Sequence, residues 1–256
     1  MTQPTPESAT EPTPKKIAVV TGASSGIGAA TARSLSEAGY TVYVGARRFD
    51  RLKKLAEEIG GVASPLDVTD QDSVDAFVEQ VPQCDVLVNN AGGAIGTESV
   101  HEASIDDWLW MYDTNVLGTL RMTRALLDKI VATGDGQVIN IGSIAAREPY
   151  RGGAGYNVAK HGVAALTRVL RLEMLGTPVR VCEIDPGLVN TEFSTVRFRG
   201  DKEKADNVYA GMEPMKAEDI ADAIAWVATR PPRVNIDQIL MLARDQASAH
   251  DIYRHE

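Results

Sequence analysis

From residue 16 to residue 242 the chain alternates short apolar runs with longer stretches whose apolar positions recur at helical spacing. The runs lie at 16–20, 41–45, 62–66, 85–88, 137–142, 179–184 and 238–242, and each reads as a strand, the first with the look of one buried on both faces. Between them, helical spacing extends to about Gly39 and then over 51–59, 72–81, 104–131, 156–175 and 217–229. Strand followed by helix, repeated in this way, predicts an α/β fold with a parallel sheet and right-handed crossovers. One interval breaks the rhythm. Residues 188–215 follow neither period and are charged, an irregular segment of the length that lids and binding loops use.

The ends read differently from the middle. Residues 1–14, mostly Thr, Pro and Glu, offer little to bury and predict a disordered arm ahead of a single domain over 15–256. The tail from Ala243 to Glu256, carrying His250 and His255, is expected either to reach a neighbouring subunit or to lie disordered. At 256 residues the chain suits one α/β domain with a large core. A formal charge of −9 argues against nucleic acid or an anionic membrane as partner, both of which demand a basic face. No apolar run approaches the roughly 20 residues that span a bilayer, and the amino terminus lacks a secretory pattern, so a cytoplasmic location is expected. Cys84 and Cys182 stand apart, without CxxC spacing or a histidine cluster, and read as small buried hydrophobes rather than a disulfide or metal site.

Candidate chemistry gathers at the carboxyl ends of the strands, where open parallel sheets bind ligands. The first strand ends in Thr21-Gly22-Ala-Ser24-Ser25-Gly26-Ile27-Gly28. Glycines at such a turn let the backbone approach a pyrophosphate, whose charge the free N–H groups of the following helix favour. The second strand runs into Ala46-Arg47-Arg48, where an NAD site usually carries an acid for the ribose 2′-hydroxyl. Guanidinium groups suit a 2′-phosphate, so NADP is the expected cofactor, with Arg47 the first choice for the phosphate, Arg48 the second, and a hydroxyl from Ser24 or Ser25. Asp67 and the stretch Asn89-Asn90-Ala91-Gly92 fall at later strand ends, and Asn115, a poor helix former, interrupts a helical stretch.

Tyr156 and Lys160 fall at i and i+4, hence on one face of a helix, about 6 Å apart along its axis. A phenol ionises near pH 10, and a nearby ammonium is expected to bring it toward neutrality, where it can act as a general acid. Ser143, closing the fifth strand, is placed to hold the substrate oxygen from the other side.

Taken together and in this order, Thr21-Gly22-x-x-x-Gly26-x-Gly28, Asn89-Asn-Ala-Gly92, Asn115, Ser143, Tyr156-x-x-x-Lys160 and Pro186-Gly187 resemble the short-chain dehydrogenase/reductase family over residues 16–242. The resemblance implies a Rossmann-type doubly wound parallel sheet of seven strands with helices on both faces, and hydride transfer with a nicotinamide cofactor. It also implies a catalytic group in which Tyr156 protonates the carbonyl oxygen, Ser143 hydrogen-bonds it, Lys160 holds the nicotinamide ribose and Asn115 anchors a relay water. Asp67 and Val68 are then expected at the adenine, Asn89 to Gly92 along its ribose, and Pro186, Gly187, Val189 and Thr191 near the nicotinamide. Within the family, residues 185–200, 149–153 and 233–236 are similar to NADP-dependent 3-hydroxy acid dehydrogenases, a group that also oxidises serine and L-allo-threonine and reduces malonic semialdehyde. A homotetramer built on the two long helices follows from the same resemblance.

A small acid needs a cationic clamp, and Arg197 is the expected one, with Arg199, Arg147 and Arg151 as alternatives. Two other readings compete: a reductase of neutral aldehydes or ketones, and a dinucleotide-binding sensor without chemistry. The presence of both Tyr156 and Lys160 argues against the sensor.

Overall fold

The computed structural model describes residues 15–255, and the expected disordered arm lies outside them. Seven strands form one sheet: β1 (Ile17–Thr21), β2 (Thr41–Ala46), β3 (Val62–Pro65), β4 (Val86–Asn89), β5 (Gly136–Ile141), β6 (Val179–Pro186) and β7 (Gln238–Met241). Their order is β3-β2-β1-β4-β5-β6-β7 with every pairing parallel. The order reverses between β1 and β4, which opens a crevice beyond their carboxyl ends.

Successive side chains leave a strand on opposite faces, so alternate residues of each run feed two cores. Val20, Val44, Val88, Ile139 and Ile184 pack under α1 (Gly26–Glu37), α2 (Phe49–Ile59) and α9 (Ala217–Ala228) through Leu35, Leu52 and Ile224. Val19, Leu87, Val138 and Val181 pack on the other face under α3 (Gln71–Glu79), α5 (Gly118–Ala132) and α6 (Ala154–Glu173) through Phe77, Leu126 and Leu170.

Two expectations differ from the structure. The stretch read as one helix over 104–131 is α4 (Ile105–Tyr112), a π-helical turn (Asp113–Leu117) and α5. Asn115 sits in that turn, and its side-chain amide donates to Met111 O (2.7 Å), the carbonyl four residues back. The segment read as irregular contains α7 (Phe193–Arg197) and α8 (Lys202–Asn207) and is tied at its ends by a parallel bridge between Val189 and Met215. Helices of five and six residues are too short for a periodic signal to register.

The carboxyl tail also departs from the expectation of a disordered end, being ordered as far as residue 255 and folded back on the body of its own chain. Gln246 pairs antiparallel with Ile252, His255 Nε2 lies 3.1 Å from Asp245 Oδ2, and the Ala249 amide donates to Glu148 Oε2 (2.8 Å). The tail therefore closes one side of the crevice.

Candidate active site

The crevice holds about 590 Å³ and runs from the end of β2 to the tail, lined by Gly22 at one side and Arg197 at the other. That volume falls in the range of small-molecule and cofactor sites.

Its dinucleotide end starts at the β1–α1 turn. Gly22 has φ +67° and Gly26 has φ +54°, and a Cβ on Gly22 would lie 2.8 Å from Ala91 Cα. Only glycine lets the two strand ends meet this closely. Thr21 Oγ1 accepts from the Asn90 and Ala91 amides (3.0 and 2.9 Å) and fixes the loop after β4 against the turn. The first turn of α1 carries no acidic residue and Ser25 makes no side-chain cap, so the helix start faces the crevice as an anion site.

Beside it Arg48 donates to Ser24 Oγ (3.1 Å) and Ser25 Oγ (2.5 Å), and both Arg48 and Arg51 reach Glu192, just before α7. Arg47 also lines the crevice. It faces Asp67, whose carboxyl is pushed up by burial but carried below its usual range by the Thr69 amide and hydroxyl, with Arg47 and Arg121 adding to the effect. Val68 lines the wall next to it. Serine hydroxyls thus orient Arg48, and both arginines named from the sequence line the crevice. Arg51, one helical turn further on, carried no motif that would have marked it.

At the far end, Tyr156, Lys160 and Ser143 line the crevice together. Lys160 Nζ donates to Ile141 O (2.7 Å) and lies 5.8 Å from the centre of the Tyr156 ring. Ser143 Oγ accepts from the Ala145 amide (3.1 Å), while the Ser143 amide donates to Asp185 Oδ1 (3.0 Å). Phe193 of α7 packs on Tyr156 at 5.4 Å between ring centres.

The expected acidity of Tyr156 is not what this arrangement produces. Burial drives the phenol above its ordinary value, outweighing the downward pull of the Ser143 hydroxyl and Arg197. Burial also lowers the Lys160 amine to about 8, against the opposing attraction of Glu183 and Asp185. The geometric half of the expectation, a phenol and an amine sharing one volume, is present; the electrostatic half is reversed by desolvation.

Three expected residues sit behind the wall and do not line it. Gly28 is packed against the turn, where a Cβ would lie 2.4 Å from Asn90 Nδ2. Asn89 donates to Thr123 Oγ1 and Asn140 Oδ1 inside the core. Asn115 accepts from the Gly93 amide (3.2 Å) and donates to Gly93 O (2.9 Å), clasping the loop after β4 from behind. A Cβ on Gly92 would meet Asn115 Oδ1 at 2.5 Å and Lys160 Nζ at 3.8 Å, so Gly92 is the thin partition between them. Ser24, Ser25, Ile27, Asn90, Ala91, Pro186, Gly187, Val189 and Thr191 all line the crevice.

Among the arginines proposed as a carboxylate clamp, Arg197 alone lines the crevice. It donates to Tyr150 OH (2.9 Å), Gly152 O (2.9 Å) and Gly96 O (3.3 Å). Arg199 pairs with Asp107 on the surface, and Arg151 is exposed. Arg147 turns beneath Ser143, where it binds Asp185 (2.8 Å) and Glu183 (2.6 Å). Those two acids lie on one face of β6, and the sequence had no signal that a loop arginine would join them.

A Rossmann sheet with a glycine turn at one end of its crevice and a serine, tyrosine and lysine at the other defines a nucleotide-dependent dehydrogenase. The chain belongs to the short chain dehydrogenase family, whose model matches residues 16–202. Over 237 residues it is 58% identical to an "uncharacterized oxidoreductase" of Mycobacterium tuberculosis, covering 93% of this chain and 94% of that protein. Over 252 residues it is 43% identical to an NADP-dependent 3-hydroxy acid dehydrogenase of Schizosaccharomyces pombe, covering 94% and 97%. The closed form of a serine dehydrogenase complexed with NADP+ superposes with a TM-score of 0.89 at 40% identity, covering 94% of this chain and all of that one.

Proposed function

We propose that the protein is an NADP-dependent dehydrogenase of small 3-hydroxy acids or serine-like substrates, able to run in reverse on malonic semialdehyde. Bound NADP supplies the hydride acceptor. The Tyr156 hydroxyl exchanges a proton with the substrate oxygen, the Ser143 hydroxyl holds that oxygen, and the Lys160 ammonium keeps the ribose end in place. Gly22, Ser24, Ser25, Gly26 and Arg48 fit the phosphates, because the helix start is free of acids and a guanidinium is already oriented there.

The observation that carries the substrate class is Arg197, the guanidinium at the Tyr156 end of the crevice, whose remaining N–H donors suit a carboxylate. Arg197→Met is expected to raise KM for 3-hydroxypropionate by about 10- to 100-fold, the scale of a lost charge-assisted hydrogen bond, with kcat much less affected. Steady-state kinetics with NADP and NAD on serine, 3-hydroxypropionate, 3-hydroxyisobutyrate and neutral alcohols makes the test. An unchanged KM for the acids places the clamp elsewhere, and a preference for NAD refutes the cofactor.

A second reading, a reductase of neutral carbonyls, draws on the other residues at that end. Trp110, Phe193, Val196 and Phe198 give it apolar walls, and Arg197 already has three protein acceptors. The same panel distinguishes the two, because a neutral-carbonyl reductase would be insensitive to Arg197→Met on neutral substrates and slow on every acid.

The cytoplasmic location and the homotetramer belong to the same proposal. No described helix is long and apolar enough to cross a membrane. Leu109 and Tyr112 on α4, with Val158, Val169 and Leu172 on α6, leave apolar side chains exposed on these two helices. Light scattering is expected to give four times the 27.5 kDa chain mass, and a monomer would remove this part of the proposal.

A further inference from the structure

Glu192 precedes α7 in the lid, yet its carboxylate lies on the far side of the crevice among the guanidiniums that follow β2. Glu192 Oε2 is 2.6 Å from Arg48 Nη1, and Glu192 Oε1 is 2.7 Å from Arg51 Nη1, which also reaches Oε2 at 3.0 Å. Arg48 Nε and Nη2 are held by Ser24 and Ser25. All three charged side chains are about half exposed, so this is not a structural pair locked in the core. A carboxylate with two oxygens, gripped by two arginines, uses guanidinium donors that would otherwise serve a phosphate, and the arginines draw its carboxyl to about 2.

We propose that Glu192 is an internal competitor for the 2′-phosphate of NADP, and that it sets how strongly the enzyme distinguishes NADP from NAD. The inference rests on the NADP reading above. A phosphate dianion offers more charge and more acceptor oxygens than a carboxylate, so it displaces Glu192 from Arg48 and Arg51. Part of the phosphate's attraction is used to break those two pairs, a loss that a nucleotide with a bare 2′-hydroxyl never meets. Thr191 and Phe193 flank Glu192, the former beside the glycine turn and the latter on Tyr156, so the displacement also reports the 2′-phosphate to the lid.

The test is calorimetric or fluorescence titration of the apoprotein with NADPH and with NADH, in wild type, Glu192→Gln and Arg51→Met. Glu192→Gln is expected to lower Kd for NADPH by about three- to tenfold, the scale of one to two exposed ion pairs, and to leave Kd for NADH within about twofold. Arg51→Met is expected to raise Kd for NADPH alone. A Glu192→Gln protein that binds both nucleotides equally more tightly, or NADPH more weakly, makes Glu192 a lid support and overturns the inference. Wild type binding NADH as well as NADPH defeats the cofactor reading itself, an outcome separate from an unresponsive Glu192→Gln in a protein that still prefers NADPH.

Discussion

Tyr156→Phe is expected to lower kcat by about 10²- to 10⁴-fold, the usual share of a positioned proton donor, while Kd for NADPH stays within about twofold. The phenyl ring keeps the packing against Phe193 and the position above Lys160, so the variant removes an oxygen and little else. Because burial holds the phenol above its ordinary value, the resting group is protonated at neutral pH, which suits carbonyl reduction. Alcohol oxidation needs the deprotonated group. Its rate in the wild type should therefore climb as pH rises through the alkaline range, while reduction does not, and Tyr156→Phe should abolish that climb. Turnover that survives in the variant with the same pH profile would remove Tyr156 from the chemistry.

Arg147→Met is expected to destabilise the fold by about 3–5 kcal/mol at pH 8, the range measured when one partner of a buried ion pair is deleted. Asp185 and Glu183 are 0% and 3% exposed, and Arg147 is the cation that binds both. Gln238 donates to Asp185 Oδ2 (2.6 Å), but an amide carries no compensating charge. Burial together with the neighbouring Asp185 already raises the Glu183 carboxyl above its ordinary range. A carboxyl raised in the folded state contributes stability below its unfolded value and loses it as pH rises through the folded one. Removing the guanidinium raises it further, so the deficit of Arg147→Met should shrink as pH falls from 8 toward 5 and Glu183 takes up a proton. Urea unfolding at the two pH values measures this, and a deficit independent of pH would mean the carboxylates are compensated otherwise. Activity should fall as well, since Asp185 holds the Ser143 amide.

Glu183 and Asp185 show where reading the chain reaches its limit. Both lie in a buried strand that is otherwise apolar except for Arg180, and as a sequence that looks like an error in patterning. Their reason is Arg147, more than thirty residues earlier, and only the packing of the β5–α6 loop under β6 brings it there. The same holds for Glu192, whose partners are Arg48 and Arg51 near the other end of the chain. Tail residues that seal the crevice, such as Gln246, which accepts from the Leu188 amide (2.8 Å), also lacked any local signal.

What the amino-acid sequence determined by itself is whatever depends on neighbours along the chain. Seven short runs alternating with helical periods specify a parallel α/β sheet, glycines specify the turn after β1, and i, i+4 spacing puts Tyr156 beside Lys160. Tertiary structure alone decided the electrostatics: which carboxylates meet Arg48, Arg51 and Arg147, and that burial raises the Tyr156 phenol instead of acidifying it. The physical reason is that pattern and turn geometry act over a few residues, whereas desolvation and Coulomb attraction depend on distances in space that only the folded chain defines.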